Sequence, residues 1–171
     1  MSLLIQYTIL YASVLILVAL GGCFSEHSGV INLGLEGIMV MGALGGALTM
    51  KYMIGYPPAV IVILTILAAA VTGLVFSALL AVACINFKAD QTIVGTALNM
   101  LGLAAATVIV KAINIAENPD NVSATVQYIA QKKSFLVNIG GFEFNWCMLL
   151  AVIALVIAYV VLYKTRFGLR L

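Results

Sequence analysis

Charge is what this 171-residue sequence has least of: eight Lys and Arg with six Asp and Glu make up 8% of it, while 64% of its residues are hydrophobic. An ordinary soluble domain is about one quarter charged, so a soluble globular fold is all but excluded. A net charge of +2 leaves no basic stripe to neutralise phosphates, which excludes a nucleic-acid partner. His27 is the only histidine, so no His-based metal site or catalytic triad can be built within the chain. No G-x-x-x-x-G-K-[ST] loop is present, and nucleotide hydrolysis by that route is excluded too. Cys23, Cys84 and Cys147 lie far apart, without C-x-x-C spacing, and read as small apolar packing residues. Leu20-Gly21-Gly22-Cys23 has the look of a lipoprotein processing site, but such a signal opens on a basic stretch, and the first basic residue here is Lys51. Met39, Met41, Met50 and Met53 read as membrane packing. There is no repeat of 20 to 50 residues and no low-complexity tract. No cofactor, metal or enzymatic chemistry is expected.

The charges that exist are kept out of long windows. Residues 1–25, 52–87, 91–110 and 144–163 carry none, and about 20 apolar helical residues cross a bilayer core. The expected fold is therefore an all-α polytopic membrane protein with about five transmembrane segments. These cover residues 3–22, 30–50, 59–87, 92–115 and 145–163. Tyr56-Pro57-Pro58 marks the start of the third, since proline suits a first helical turn and not an interior. Asp90 precedes the fourth, where a carboxylate caps free amides and suits the helix dipole. The polar stretch 116–144, with Asn118-Pro119-Asp120 as a turn signal, is the one sizeable extramembrane region. Three of the basic residues, Lys164, Arg166 and Arg170, crowd the last eight positions. The positive-inside rule then favours the N-terminus out, the C-terminus in and an extracytoplasmic 116–144 loop.

Within the second segment, Ser28, Asn32 and Glu36 are spaced i, i+4, i+8, one face of a helix if the stretch is helical. Gly34 and Gly37 are expected to interrupt it, and Gly42 and Gly46 form a G-x-x-x-G of the kind that lets membrane helices approach. A glycine-broken, partly polar segment suggests a discontinuous helix lining a cavity. A carboxylate in the membrane is costly and points to function; Glu36 is read equally as pathway-lining or as a group that fixes the bend. In the fourth segment Gly95, Asn99, Gly102 and Ala106 make a small and polar stripe. That pattern fits helix packing with one interhelical hydrogen bond, with a substrate-path role for Asn99 as the sharper alternative.

The run Phe24-Ser25-Glu26-His27-Ser28-Gly29-Val30-Ile31-Asn32-Leu33-Gly34-Leu35-Glu36-Gly37-Ile38-Met39 resembles the signature of permease subunits of ABC importers for nucleosides and simple sugars, related to the ribose and branched-chain amino-acid permeases. Ala89-Asp90-Gln91-Thr92-Ile93-Val94-Gly95-Thr96-Ala97-Leu98-Asn99 is similar to the family's next motif, and Tyr163-Lys164-Thr165-Arg166-Phe167-Gly168-Leu169-Arg170 to the start of its cytoplasmic coupling segment. The resemblance covers the whole chain in order and implies one transmembrane permease domain over 1–171, the N-terminal part of a longer permease. It further implies a second permease subunit, cytoplasmic ATP-binding subunits and an extracytoplasmic solute-binding lipoprotein as partners, in the inner (plasma) membrane. Ser28, Asn32, Glu36 and Asn99 would then lie on the solute path. Lys164, Arg166, Phe167, Gly168 and Arg170 would couple to the ATPase. The expected cargo is a nucleoside, with simple sugars second. Two alternatives stand beside it: a truncated subunit that assembles without transporting, and an ion-coupled carrier using Glu36.

Overall fold

A computed structural model describes residues 2–29, 31–126, 136–139, 142–166 and 168. Five helices and one hairpin follow in the order α1 (Ser2–His27), α2 (Leu35–Tyr52), α3 (Pro58–Ile85), α4 (Gln91–Glu117), β1 (Leu136–Ile139), β2 (Phe142–Asn145) and α5 (Trp146–Lys164). Among the described residues, Leu4–His27, Pro58–Ile85 and Gln91–Glu117 are long and apolar enough to span a bilayer, and Met148–Lys164 is a shorter apolar helix. At 1.5 Å per residue α3 measures about 42 Å and α2 about 27 Å, so α3 exceeds a bilayer core of about 30 Å while α2 falls just short of it.

Local chemistry sets the boundaries. Pro58 occupies the first turn of α3 behind Pro57, where its missing N–H goes unnoticed. Asp90 caps α4 by accepting from the Thr92 and Ile93 amides. These contacts, that from Thr92 first, hold its carboxyl below the ordinary value of 3.8. Gly29 turns the chain out of α1 at φ +78°, a left-handed conformation that glycine adopts without a Cβ penalty.

The second expected segment differs from its outline in an instructive way. Its interruption falls between the end of α1 at His27 and the start of α2 at Leu35, with Gly34 as the N-cap of α2; Gly37 sits inside a continuous helix and breaks nothing. Glycine at position 37 serves close packing instead. The expected helical face of Ser28, Asn32 and Glu36 is consequently not formed: Ser28 lies in the turn closing α1, Asn32 in the link, and Glu36 in the first turn of α2. The hairpin was also not anticipated. Ile139 pairs with Phe142 in antiparallel register; Gly140 and Gly141, between them in sequence, lie outside the described residues.

The chain divides into two compact units, Met1–Asn32 with Phe135–Leu171, and Leu33–Ser134. In the first, α1 packs on α5 and the hairpin borders both. Small residues mark this packing, with Ser13, Ala151 and Ala158 buried, and His27 meets Tyr163 edge to face at the helix ends, 6.4 Å between ring centres.

In the second unit α2 packs against both α3 and α4. Gly42 lies over the Ala69 carbonyl, Gly46 over Thr65 and Ala69, and Gly73 over Ile38, so rising numbers on α2 meet falling numbers on α3 and the two run antiparallel. Against α4 the numbers rise together, through Gly34 with Gly95, Gly37 with Gly102, and Leu44 with Ala106 and Val110, so α2 and α4 run parallel. Phe76, Leu80 and Leu98 form a second buried cluster, flanked by Ile38, Met41, Cys84 and Val94. Outward faces such as Ile63, Leu67 and Leu74 are apolar and exposed, as lipid contact requires.

Candidate functional site: the α2–α4 clamp and groove

Asn99 acts on a helix other than its own. Its Oδ1 accepts from the Gly37 N–H at 2.8 Å, and its Nδ2 donates to the Leu33 carbonyl at 2.7 Å. The first amides of a helix have no partner within it, and Gly34 supplies no side-chain cap to α2. Asn99 therefore serves as a cap from α4, tying both sides of the α2 entry to one amide.

Glycine makes this approach possible. A Cβ at Gly37 would fall 2.6 Å from the Leu98 oxygen and 2.9 Å from the Asn99 Cα, and one at Gly102 would fall 2.8 Å from the Gly37 Cα. A Cβ at Gly95 would sit 3.0 Å from the Gly34 nitrogen. Backbone is thus laid on backbone, and no rotamer change would make room.

Beside the clamp opens a groove of about 310 Å³, lined by Glu36, Val40, Thr96, Asn99, Met100 and Leu103. The α4 members fall at i, i+3, i+4 and i+7, a stripe adjoining the buried Gly95, Leu98, Gly102, Ala106 and Val110. Glu36 is exposed, and among the described residues its carboxylate meets no cation and no hydrogen-bond donor. It stands in the first turn of α2, at the positive end of the helix dipole. Of the residues singled out by sequence, Glu36 and Asn99 share this groove. Gly34, Gly37 and Gly95 lie in the helix contact beside it, Gly42 and Gly46 face α3, and Ser28 and Asn32 belong to the other unit.

At the opposite end of the same helix pair, the Lys51 ammonium lies 2.6 and 2.7 Å from the two carboxylate oxygens of Glu117. Asn114, 1% exposed, donates to the Ser123 and Thr125 carbonyls, both at 2.9 Å, and so fixes the segment after α4. Neither feature was found in the sequence. Asn114 continues the stripe from Ala106 through Val110 at intervals of four, and that was the available signal. In the terminal basic stretch Lys164 and Arg166 are exposed, and Gly168 lies against the Leu162 carbonyl. Phe167 and Arg170 lie outside the described residues.

Three helices among the described residues that are long and apolar enough to span a bilayer, with α2 and α4 joined in parallel through glycine, make this a multi-pass membrane protein. Residues 4–171 match the family described as branched-chain amino acid transport system / permease component, and the chain belongs to it. It is 38% identical over 177 residues to the guanosine ABC transporter permease protein NupQ of Bacillus subtilis, across all of this chain and 55% of that protein. Its identity to the nucleoside ABC transporter permease protein NupC of Lactococcus lactis is 33% over 175 residues, again across all of the chain and 55% of the relative. A putative glucose ABC transporter permease protein of Haloferax volcanii shares 37% over 108 residues, 61% of this chain and 30% of that protein. The chain spans about half the length of the first two. No solved structure matches. Membership of the family places the chain in the inner (plasma) membrane.

Proposed function

We propose that the chain is part of the membrane subunit of an ATP-driven importer whose cargo is a nucleoside, with a simple sugar as second choice. The observation that carries this is the likeness, over the whole chain, to two permeases named for guanosine and nucleosides. The subunit does no bond chemistry. Two cytoplasmic ATP-binding subunits supply the motion, a second permease subunit completes the path, and an extracytoplasmic solute-binding lipoprotein delivers the cargo. The groove between α2 and α4 lies on that path, with Glu36 as its polar group and Asn99 holding its wall. Lys164 and Arg166, exposed at the end of α5, begin the segment that meets the ATPase, with Phe167, Gly168 and Arg170 continuing it. The N-terminus lies outside, and residues 116–144 face the binding protein.

The test is uptake of labelled guanosine by the full-length permease with its partners, in cells lacking other nucleoside uptake. Uptake is expected to stop when the ATPase site is inactivated and to persist under a proton uncoupler. Arg166→Glu should abolish it while membrane insertion stays intact. Uptake that survives ATPase inactivation and collapses with the uncoupler would overturn the proposal.

A further inference from the structure

We infer that Glu36 sets the solute class of the groove, accepting hydrogen bonds from a neutral, donor-rich solute and turning anionic solutes away; this rests on the groove belonging to the solute path.

The other wall groups have their hydrogen bonds committed elsewhere. The Thr96 hydroxyl lies 3.0 Å from the Thr92 carbonyl and 2.9 Å from that of Ile93, within its own helix. The Asn99 amide engages its oxygen and one of its two N–H groups at the α2 entry. Val40, Met100 and Leu103 are apolar. The Glu36 carboxylate is left as the group in the wall with full capacity to bind, and an ionised carboxylate only accepts.

Its exposure is informative because a carboxylate turned toward lipid is among the costliest placements in a membrane. The groove therefore opens on water. Two acceptor oxygens suit two adjacent donors, such as a vicinal diol of a sugar ring or neighbouring N–H groups on a base edge, while the apolar wall takes the ring face. A volume of about 310 Å³ falls at the small end of ligand pockets, about 300 to 1,000 Å³, and suits one sugar or one nucleoside. A phosphate or carboxylate on the solute would face like charge beside an apolar wall, where repulsion exceeds that in bulk water.

The experiment uses the full-length permease with its partners in membranes, with Cys23, Cys84 and Cys147 replaced by Ser. A single cysteine is placed in the groove by Thr96→Cys, or outside it by Ile54→Cys. Labelling rates are compared for anionic and cationic methanethiosulfonate reagents of similar size. In the groove the cationic reagent should react about tenfold faster, the low end for a charged cleft. Glu36→Gln should erase that preference by raising the anionic rate, Glu36→Asp should keep it, and the ratio at position 54 should not move. Guanosine should slow labelling at position 96 when Glu36 is present and not in the Glu36→Gln variant. A groove that labels with the same ratio before and after Glu36→Gln would overturn the inference and leave the path assignment standing. Loss of the preference in Glu36→Asp would overturn it as well. No labelling at position 96 by either reagent would show the groove closed to water, and both the inference and the path assignment would fall.

Discussion

Gly102→Ala tests the α2–α4 contact directly. The added Cβ would lie 2.8 Å from the Gly37 Cα and 2.9 Å from its carbonyl oxygen, whereas carbon atoms rest at about 3.5 to 4.0 Å. Both neighbours are backbone, so the helices must part by roughly 0.7 to 1.2 Å to restore that spacing. That movement would stretch the Asn99–Gly37 hydrogen bond from 2.8 Å to about 3.6 Å, beyond bonding range. Overpacking costs about 1 to 3 kcal/mol, and loss of an interhelical hydrogen bond in a membrane about 0.6 to 2. The better helix propensity of alanine returns about 0.5 to 1 kcal/mol. A net loss of about 2 kcal/mol is expected, a fall of about 4 to 8 °C in melting temperature for a chain of this size. Cys84 provides the probe, since it is half-buried beside Phe76, Leu80 and Leu98. With Cys23 and Cys147 replaced by Ser, a fluorogenic maleimide reports the opening of this unit on heating. Gly73→Ala is the matched control, because its Cβ would meet Ile38 at an ordinary 3.7 Å, and it should leave the midpoint unchanged or raise it. Equal midpoints for the two variants, or a higher one for Gly102→Ala, would refute the backbone-on-backbone account.

Three further outcomes are expected in the same melting assay. Asn99→Leu strands the Gly37 amide and the Leu33 carbonyl, at about 1 to 3 kcal/mol for each group that stays dry, whereas Asn99→Asp loses the donor but keeps an acceptor whose charge suits the positive end of α2, so its midpoint should lie between those of Asn99→Leu and wild type. Asp90 has a folded pKa held below 3.8 by the Thr92 and Ile93 amides, so its contribution is full above that value and disappears as pH falls through the lower folded pKa; wild type and Asp90→Ala should differ in midpoint near neutrality and converge in strong acid. Lys88 adopts φ +52°, a conformation costing a non-glycine residue about 1 to 2 kcal/mol, and Lys88→Gly should raise the midpoint by a degree or two, since the entropy of glycine returns about 0.5 to 1 kcal/mol to the unfolded chain.

The helices were legible because membrane solvation writes itself into composition: uncharged windows and the Pro57-Pro58 and Asp90 punctuation located α1, α3, α4 and α5 to within a few residues. The segment around α2 was less so, because glycine has two opposite uses. At positions 29 and 34 it stands where the chain leaves regular helix, and at 37 it stands inside one so that another backbone can touch it; spacing alone does not separate these cases. The candidate site was partly visible, since Glu36 and Asn99 are conspicuous polar residues in apolar segments. What the Asn99 amide does depends on the Gly37 amide 62 residues earlier in the chain, and no local pattern encodes that partner. The Lys51–Glu117 pair was hidden for the same reason, because it follows from the parallel course of α2 and α4.

The two fastenings between α2 and α4 also set what motions the pair allows. One joins Gly37 to Asn99 and the other Lys51 to Glu117, which encloses about 21 Å of the first helix and about 27 Å of the second. The mismatch is absorbed by the long lysine side chain, itself only 11% exposed. A closed loop of this kind resists shear, since sliding one helix by a turn of about 5.4 Å would open both fastenings together. The pair is therefore built to tilt as one stiff lever, hinge fashion, so that force reaching one end of α4 would displace the groove wall as a whole and leave its shape unchanged.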